Sequence, residues 1–407
     1  MIIQLTANEF DEFASSHELS NYHQSSSYAT LMSKYGYDHV YLGYKNHSGV
    51  LTGATLLLTK KIKHVFKYAY APKGFLIDYK NKALVEHFTN AIKEYAQKNK
   101  IIFIKINPEI PTYKIVNKKE KIELDNTIVK EILDKNGYIK LKDNIYFESI
   151  LPRFNAILDL KQYNKKRLTK THKNKINNAK RKGLEIEITN KNKIKDVYPF
   201  IEKKKVRRNL IYYKNYFNLF NDIDSADIFL VRINYDEYLN NSKNIFEEES
   251  ERNKKLTERV FKNNSEENIK KKMASDNLLT TYKNDIINAT YSINSPEKYI
   301  AGAFCIRYQN HVHIVISGFN ELYGSMNANY FLHNEIFKYY KDKFDYIDLN
   351  GITGDFSVTN PYYGLNEFKL GFNPNVYEFI GEYDLVINEK IYNFMLSVGL
   401  IQNEFKK

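Results

Sequence analysis

This chain of 407 residues carries a single cysteine and no tryptophan. One thiol cannot close an intrachain disulfide, so a reducing compartment is expected, and Cys305, set in an apolar stretch, reads as a packed core residue and not a nucleophile. Long apolar runs are missing as well: none approaches the roughly 20 residues that cross a bilayer. The start, Met1-Ile2-Ile3-Gln4-Leu5, meets Glu9, Asp11 and Glu12 instead of a basic region followed by an apolar one, so no secretion signal is read there. The chain is therefore expected in the cytoplasm, with peripheral contact at the cytoplasmic membrane face left open. Also absent are a Gly-x-x-x-x-Gly-Lys-Ser/Thr phosphate loop, a paired-cysteine zinc pattern and a Gly-x-Ser-x-Gly elbow. His311 and His313 lie two apart in an expected strand, hence on one face, but without a third ligand they read as a packing or surface pair, and no metal is expected.

What the sequence does have is one pattern written twice. A strand with a mid-strand glycine (50–60, Gly53) leads to a second strand, an amphipathic helix (82–98) and an apolar strand (101–106). The same order returns at 299–308 with Gly302, 311–318, 327–341 and 344–349. An internally repeated β-β-α-β unit is the core of the acetyltransferase-like fold. With 43% hydrophobic and 14% aromatic residues, the chain can bury two cores of ordinary size. The fold class expected is α/β (α+β), with tandem acetyltransferase-like domains at 1–153 and at 154–236 plus 290–407. The intervening stretch, 237–289, is highly charged, lacks proline and glycine, and breaks at Asn263-Asn264-Ser265. It reads as an inserted antiparallel helical hairpin, a coiled-coil arm.

The formal net charge of +13 points to an anionic partner. Basic residues crowd between Lys161 and Arg208: Lys165-Lys166-Arg167, Lys170, Lys173, Lys175, Lys180-Arg181-Lys182, then Lys203-Lys204-Lys205 and Arg207-Arg208. Leu168, His172, Ile176 and Ala179 recur at helical spacing beneath this run, and Gly183 is placed to end the helix. A helix with a basic outer face is either a solvated surface or a surface that tracks the phosphates of RNA or of a diphosphate lipid head group.

The segment Phe66-Lys67-Tyr68-Ala69-Tyr70-Ala71-Pro72-Lys73-Gly74-Phe75-Leu76-Ile77-Asp78-Tyr79 resembles the tyrosine-rich strand and loop of the Fem family. Those are non-ribosomal peptidyltransferases that use aminoacyl-tRNA to build peptidoglycan interpeptide bridges. Other points of resemblance follow in order: Leu5 to Phe10, Gln24-Ser25, Ile104 to Pro108, Ile157 to Leu160, the charged insertion, Gly364 to Phe372, and Tyr377 to Glu382. The match covers the whole chain and looks closest to the glycyltransferase branch that lengthens a bridge. It implies aminolysis of an aminoacyl ester by an amine of the peptidoglycan precursor, lipid-linked or nucleotide-linked. Charged tRNA is the implied co-substrate, with no other cofactor, since the ester is already activated. Self-association or association with related transferases is a further implied possibility.

Residue by residue, the resemblance places Lys369 and Phe368 at the reacting centre, Lys369 as a cation for a phosphate or the developing oxyanion. It implies substrate contacts for Tyr216, Lys73, Tyr70, Asn107 and Glu382, and Lys173, Lys180 and Arg181 are assigned to tRNA. The chain departs from the family at several positions. Asn107 precedes Pro108 where an aspartate is common, and an amide cannot act as a general base. Met32 stands where a lysine is expected, Tyr212 where an arginine is, and Ile316 where a tyrosine is. The acceptor's proton is accordingly expected to leave through the tRNA ribose hydroxyl or ordered water. Two other readings stay open: a coenzyme-A-dependent N-acyltransferase, for which only Gly324 in Tyr323-Gly324-Ser325-Met326 is suggestive, and a non-catalytic RNA-binding module.

Overall fold

The computed structural model describes residues 1–116, 118–202, 208–292 and 298–401. Lys203-Lys204-Lys205 and Arg207 of the basic run lie outside the described residues. The repeated unit is present in both halves. In the first, Leu51–Ile62 pairs antiparallel with Phe66–Ala71, the helix Lys82–Lys98 crosses over, and Ile101–Ile106 returns parallel to Phe66–Ala71. In the second, Ala301–Tyr308 pairs antiparallel with His311–Phe319, the helix Ala328–Tyr340 crosses over, and Tyr346–Ile352 returns parallel to His311–Phe319. A parallel return needs a crossover connection, and an amphipathic helix supplies it while covering the sheet. Val85, Phe88, Thr89, Ile92 and Ala96 form the buried stripe of the first such helix, and the Asn81 side chain caps its start by accepting from the Leu84 amide at 3.0 Å.

Among the described residues the strands form a seven-stranded and a nine-stranded sheet. The sheets exchange strands. Tyr383–Val386, from the end of the chain, inserts between Ile101–Ile106 and Tyr138–Lys140 in the first sheet. Pro111–Val116 and Glu120–Glu123, from the first half, extend the edge of the second sheet through Asn375–Phe379. The division expected at residue 153 is thus crossed twice, because strand-to-strand hydrogen-bond pairing outweighs sequence proximity. A core cluster shared by both halves joins Leu5, Phe10, Tyr22 and Tyr28 to Tyr216, Phe217, Phe220 and Phe304. Cys305 is fully buried, as its apolar setting predicts, and burial pushes its thiol pKa up.

The exchanged strand is pinned by charge. Lys105 donates to Asp384 at 2.7 Å, and the Tyr392 hydroxyl donates to the other carboxylate oxygen at 2.8 Å. Both partners of the pair are withdrawn from solvent.

The charged insertion forms two long helices, Tyr235–Lys262 and Glu266–Ser292. Their seam is partly polar: the Ser275 hydroxyl donates to buried Glu249, and Asn253 donates to both Ser275 and Asp276. The base of the hairpin, unlike its outer length, belongs to the second core. Tyr238 and Ala289 are buried there, and Lys182 pairs with Asp285 at 2.8 Å. The arm expected at 237–289 is therefore a free projection only beyond its first and last turns.

Candidate active site

The two connections that carry the chain between sheets run side by side. One is 107–110, leaving Ile101–Ile106; the other is 380–382, leaving Asn375–Phe379, and the Ile380 amide donates to the Ile110 carbonyl at 2.9 Å. Asn107, Glu109 and Glu382 therefore lie on adjacent crossings. Asn107, Lys73 and Glu382, together with Arg153 and Phe379, line one small cleft of about 20 Å³.

Local folding explains how these side chains are held. Buried Gln24 accepts from the Leu56 amide at 2.8 Å and donates to the Pro72 carbonyl at 2.6 Å, fixing the loop after Phe66–Ala71. Lys73 in that loop has φ +53°, an unusual conformation for a residue with a side chain. Its amide donates to the Asn107 side-chain carbonyl at 2.9 Å, and the Tyr70 hydroxyl donates to the same oxygen at 3.2 Å. The Lys73 ammonium stands 3.5 Å from Glu109 and 4.9 Å from the Phe379 ring centroid. Glu382 accepts from the Ile150 amide at 2.9 Å. Burial, with the Glu382 charge adding to it, holds the Tyr70 hydroxyl well above the usual phenol range, so Tyr70 is a neutral donor here.

Lys369 and Phe368 sit behind this cleft on the helix Tyr363–Leu370. Buried Lys369 donates to the carbonyls of Asn350, at 3.1 Å, and Gly351. Gly351 packs against Pro152 of the cleft wall so closely that a Cβ there would lie 2.5 Å from Pro152 Cγ. The charge of Lys369 is thus spent partly on the backbone next to the cleft. Phe368 belongs to an aromatic cluster with His172, Tyr330, His333 and Phe372. His172 donates through Nε2 to the Phe368 carbonyl at 2.7 Å, and this couples the Lys369 helix to the basic helix. Gly371 is needed at that joint, since a Cβ would lie 1.8 Å from the His172 ring.

The basic helix is Lys170–Arg181, capped by Thr169, with His172, Ile176 and Ala179 buried beneath it; Leu168 is buried just before it. Gly183, at φ +67°, ends it next to the Asn234 carbonyl. Lys180 and Arg181 are exposed and Lys173 is half-buried. An open depression on this face is lined by Lys175, Lys180 and Arg181 with Asn174, Asn177 and Asn178, a donor-rich surface suited to phosphate oxygens.

Tyr216 lies elsewhere, fully buried between Tyr22, Tyr28 and Phe304. Burial raises its hydroxyl well above the phenol range. Tyr22 packs edge-on against His313, with ring centroids 4.8 Å apart. His313 and His311 line a second, larger cavity of about 170 Å³ with Asp348, Glu109 and Phe379. Sequence reasoning passed over these two histidines as a packing pair. Their spacing of two marked the right face of the strand, but only the fold brings Asp348 and Glu109 to it. No group of three or more metal-ligating side chains occurs among the described residues.

The architecture is that of two fused acetyltransferase-like units with strand exchange and an inserted hairpin. The FemAB family model matches residues 5–398, and the chain belongs to that family. Aminoacyltransferase FemA of Staphylococcus epidermidis is 26% identical over 406 residues, covering 92% of this chain and 93% of the relative. Aminoacyltransferase FemA of Staphylococcus aureus is 24% identical with the same coverage, 92% and 93%. The crystal structure of FemX superposes with a TM-score of 0.73 at 20% identity, covering 97% of this chain and 99% of that one. No helix among the described residues is long and apolar enough to cross a membrane.

Proposed function

We propose that this protein transfers an amino acid, glycine in the first instance, from charged tRNA to an amine of the peptidoglycan precursor, lengthening an interpeptide bridge. It is an aminoacyltransferase of cell-wall synthesis. The observation that carries this reading is the family match along nearly the whole chain, joined to the convergence of Lys73, Asn107, Tyr70 and Glu382 at the strand crossings.

Aminolysis of an ester asks a protein to align two large substrates, remove an ammonium proton and stabilise a transient oxyanion. In this reading the basic helix receives tRNA phosphates through Lys173, Lys180 and Arg181, and the reacting ester lies against the mouth of the cleft. Lys73 and Asn107 line it, Tyr70 holds Asn107 from behind through its hydroxyl, and Glu382 holds the opposite crossing through the Ile150 amide. Lys369 supplies positive potential through the backbone segment it binds, and Phe368 fixes that helix to the tRNA-facing one. Tyr216 shapes the buried end of the precursor site, and its depth makes that role indirect. The reaction uses no cofactor beyond the charged tRNA. The protein works in the cytoplasm, at the membrane face when its acceptor is lipid-linked, alone or beside related transferases.

The decisive experiment incubates the purified protein with a mixture of charged tRNAs and lipid-linked precursor and reads the product by mass. A glycine increment on the precursor is expected. Ester hydrolysis without an increment, or acylation that requires acetyl-coenzyme A, would overturn the reading.

A further inference from the structure

The strands His311–Phe319 and Tyr346–Ile352 run parallel only as far as the rung His313–Asp348, and beyond it each follows other partners. That last rung faces the cavity shared with Glu109 and Phe379, and Phe379 also lines the cleft that holds Lys73, Asn107 and Glu382. The Lys73–Glu109 pair bridges the two spaces.

At this rung the geometry is that of a base and its orienting carboxylate. His313 Nδ1 stands 3.7 Å from Asp348 Oδ2, both side chains being about nine-tenths buried. Asp348 is itself fixed: it accepts from the Asn155 amide group at 2.8 Å and from the Asn350 backbone amide at 2.7 Å. Burial alone would raise its pKa, but the neighbouring His313 ring and the Lys73 charge bring it below the usual carboxylate value. An ionised, immobilised carboxylate favours the imidazolium that forms when its partner takes a proton, and such contacts are often long until the reacting complex forms. With Nδ1 turned to Asp348, Nε2 is the ring nitrogen left for the proton.

We infer that His313, positioned by Asp348, is the general base that deprotonates the acceptor amine, in place of the carboxylate that Asn107 lacks. The inference rests on the aminoacyl transfer proposed above. It replaces the expectation that ribose or water takes this proton. The acceptor arrives as an ammonium. His313 takes one proton, the freed nitrogen pair attacks the ester carbonyl, and a C–N bond forms. As the tetrahedral intermediate collapses, the C–O bond to the ribose breaks and the second nitrogen proton goes to the departing oxygen. The products are an amide and a tRNA hydroxyl, and imidazolium then releases its proton to solvent. Glu109, at the cavity mouth with Asn21, gives the incoming ammonium a carboxylate to approach.

The groups facing His313 are Asp348 from the neighbouring strand, His311 from its own, Tyr22 and His23 from the segment before the helix Ser26–Ser33, Glu109 from the first crossing and Lys73 from the loop. The pH dependence of turnover separates them. With glycyl-tRNA and lipid-linked precursor, wild-type product formation is measured first; no product overturns both the reaction and this inference. Given product, kcat/KM should rise with pH along a single limb. His313→Gln should lower kcat by about 10²- to 10⁴-fold and abolish that limb, and added imidazole should restore part of the rate to His313→Ala. Asp348→Asn should lower kcat with unchanged precursor KM, because the imidazolium formed in the reaction loses its orienting carboxylate. A folded His313→Gln enzyme with wild-type rate and profile overturns the inference while leaving the reaction intact. So does a limb that vanishes in Glu109→Gln but persists in His313→Gln. Where His313→Gln does not fold, an unchanged kcat in Asp348→Asn overturns it.

Discussion

Replacing Asp384 with Asn tests whether the strand exchange is what builds the site. Asp384 sits two residues after Glu382, and its carboxylate holds Lys105 at 2.7 Å where neither side chain reaches solvent appreciably. Removing one partner of a buried pair leaves the other charge uncompensated, a loss of about 3–5 kcal/mol, or roughly 10²- to nearly 10⁴-fold in the folding constant. Against a total stability of about 5–15 kcal/mol that is a large fraction. The Tyr392 hydroxyl, which donates to the same carboxylate at 2.8 Å, also loses its better acceptor. The double variant Lys105→Met with Asp384→Leu fills similar space with no orphan charge and should recover most of the loss. Equilibrium unfolding in guanidinium, followed by both near- and far-ultraviolet circular dichroism, measures all three proteins. Because each sheet holds strands from both halves of the chain, the probes should report one coincident transition. A cost below about 1 kcal/mol for Asp384→Asn, or a double variant no better than the single, would refute the reasoning, since a desolvated pair cannot lose one charge cheaply.

Four further outcomes are expected. Lys369→Met should reduce turnover by about 10²- to 10³-fold and lower stability by about 1–3 kcal/mol, because the Asn350 and Gly351 carbonyls lose a charged donor; turnover that falls only in step with the folded fraction removes Lys369 from the chemistry. Reversing Lys173, Lys180 and Arg181 to Glu should weaken tRNA binding and flatten its dependence on salt, as titrations at several salt concentrations would show. The melting temperature should barely move, since Lys180 is exposed and its contact with Glu335 is long at 3.5 Å. Replacing 243–282 with a short Gly-Ser link should leave the fold intact and diminish transfer, whereas deletion of 237–289 should destabilise it by removing Tyr238, Asp285 and Ala289; equal melting temperatures for the two deletions would contradict the core role of the hairpin base. His23 is buried, and burial first, then the Lys73 and His313 charges, holds its pKa well below 6.5. The unfolded chain therefore binds the extra proton, so the stability gained from neutral His23 is complete above pH 6.5 and is lost as pH falls below it. Wild-type protein should lose more stability between pH 7.5 and 5.5 than His23→Gln, and parallel losses would show that His23 is not the sensitive group.

The repeated β-β-α-β order, the capped helices and the hairpin arm were legible in the sequence because they depend on periodicity and on chemistry within a few residues. Leu168, His172, Ile176 and Ala179 marked the buried side of the basic helix before any contact was known, and all four are buried. Motif order along the chain likewise pointed to the family. Position across the fold was not legible. Nothing near residue 384 announces that its strand will lie between 101–106 and 138–140, because sheet pairing joins segments hundreds of positions apart. The same holds for Lys369, which reads as a surface lysine until Asn350 and Gly351 present their carbonyls to it. His313 and Asp348, thirty-five positions apart, become a rung only when the crossover helix returns the chain parallel to itself. Sequence alone determined which elements form, since local energetics favour one state for each. Tertiary structure decided which charges meet, because a buried ion pair draws its energy from desolvation and distance, and neither exists until the chain has closed around it.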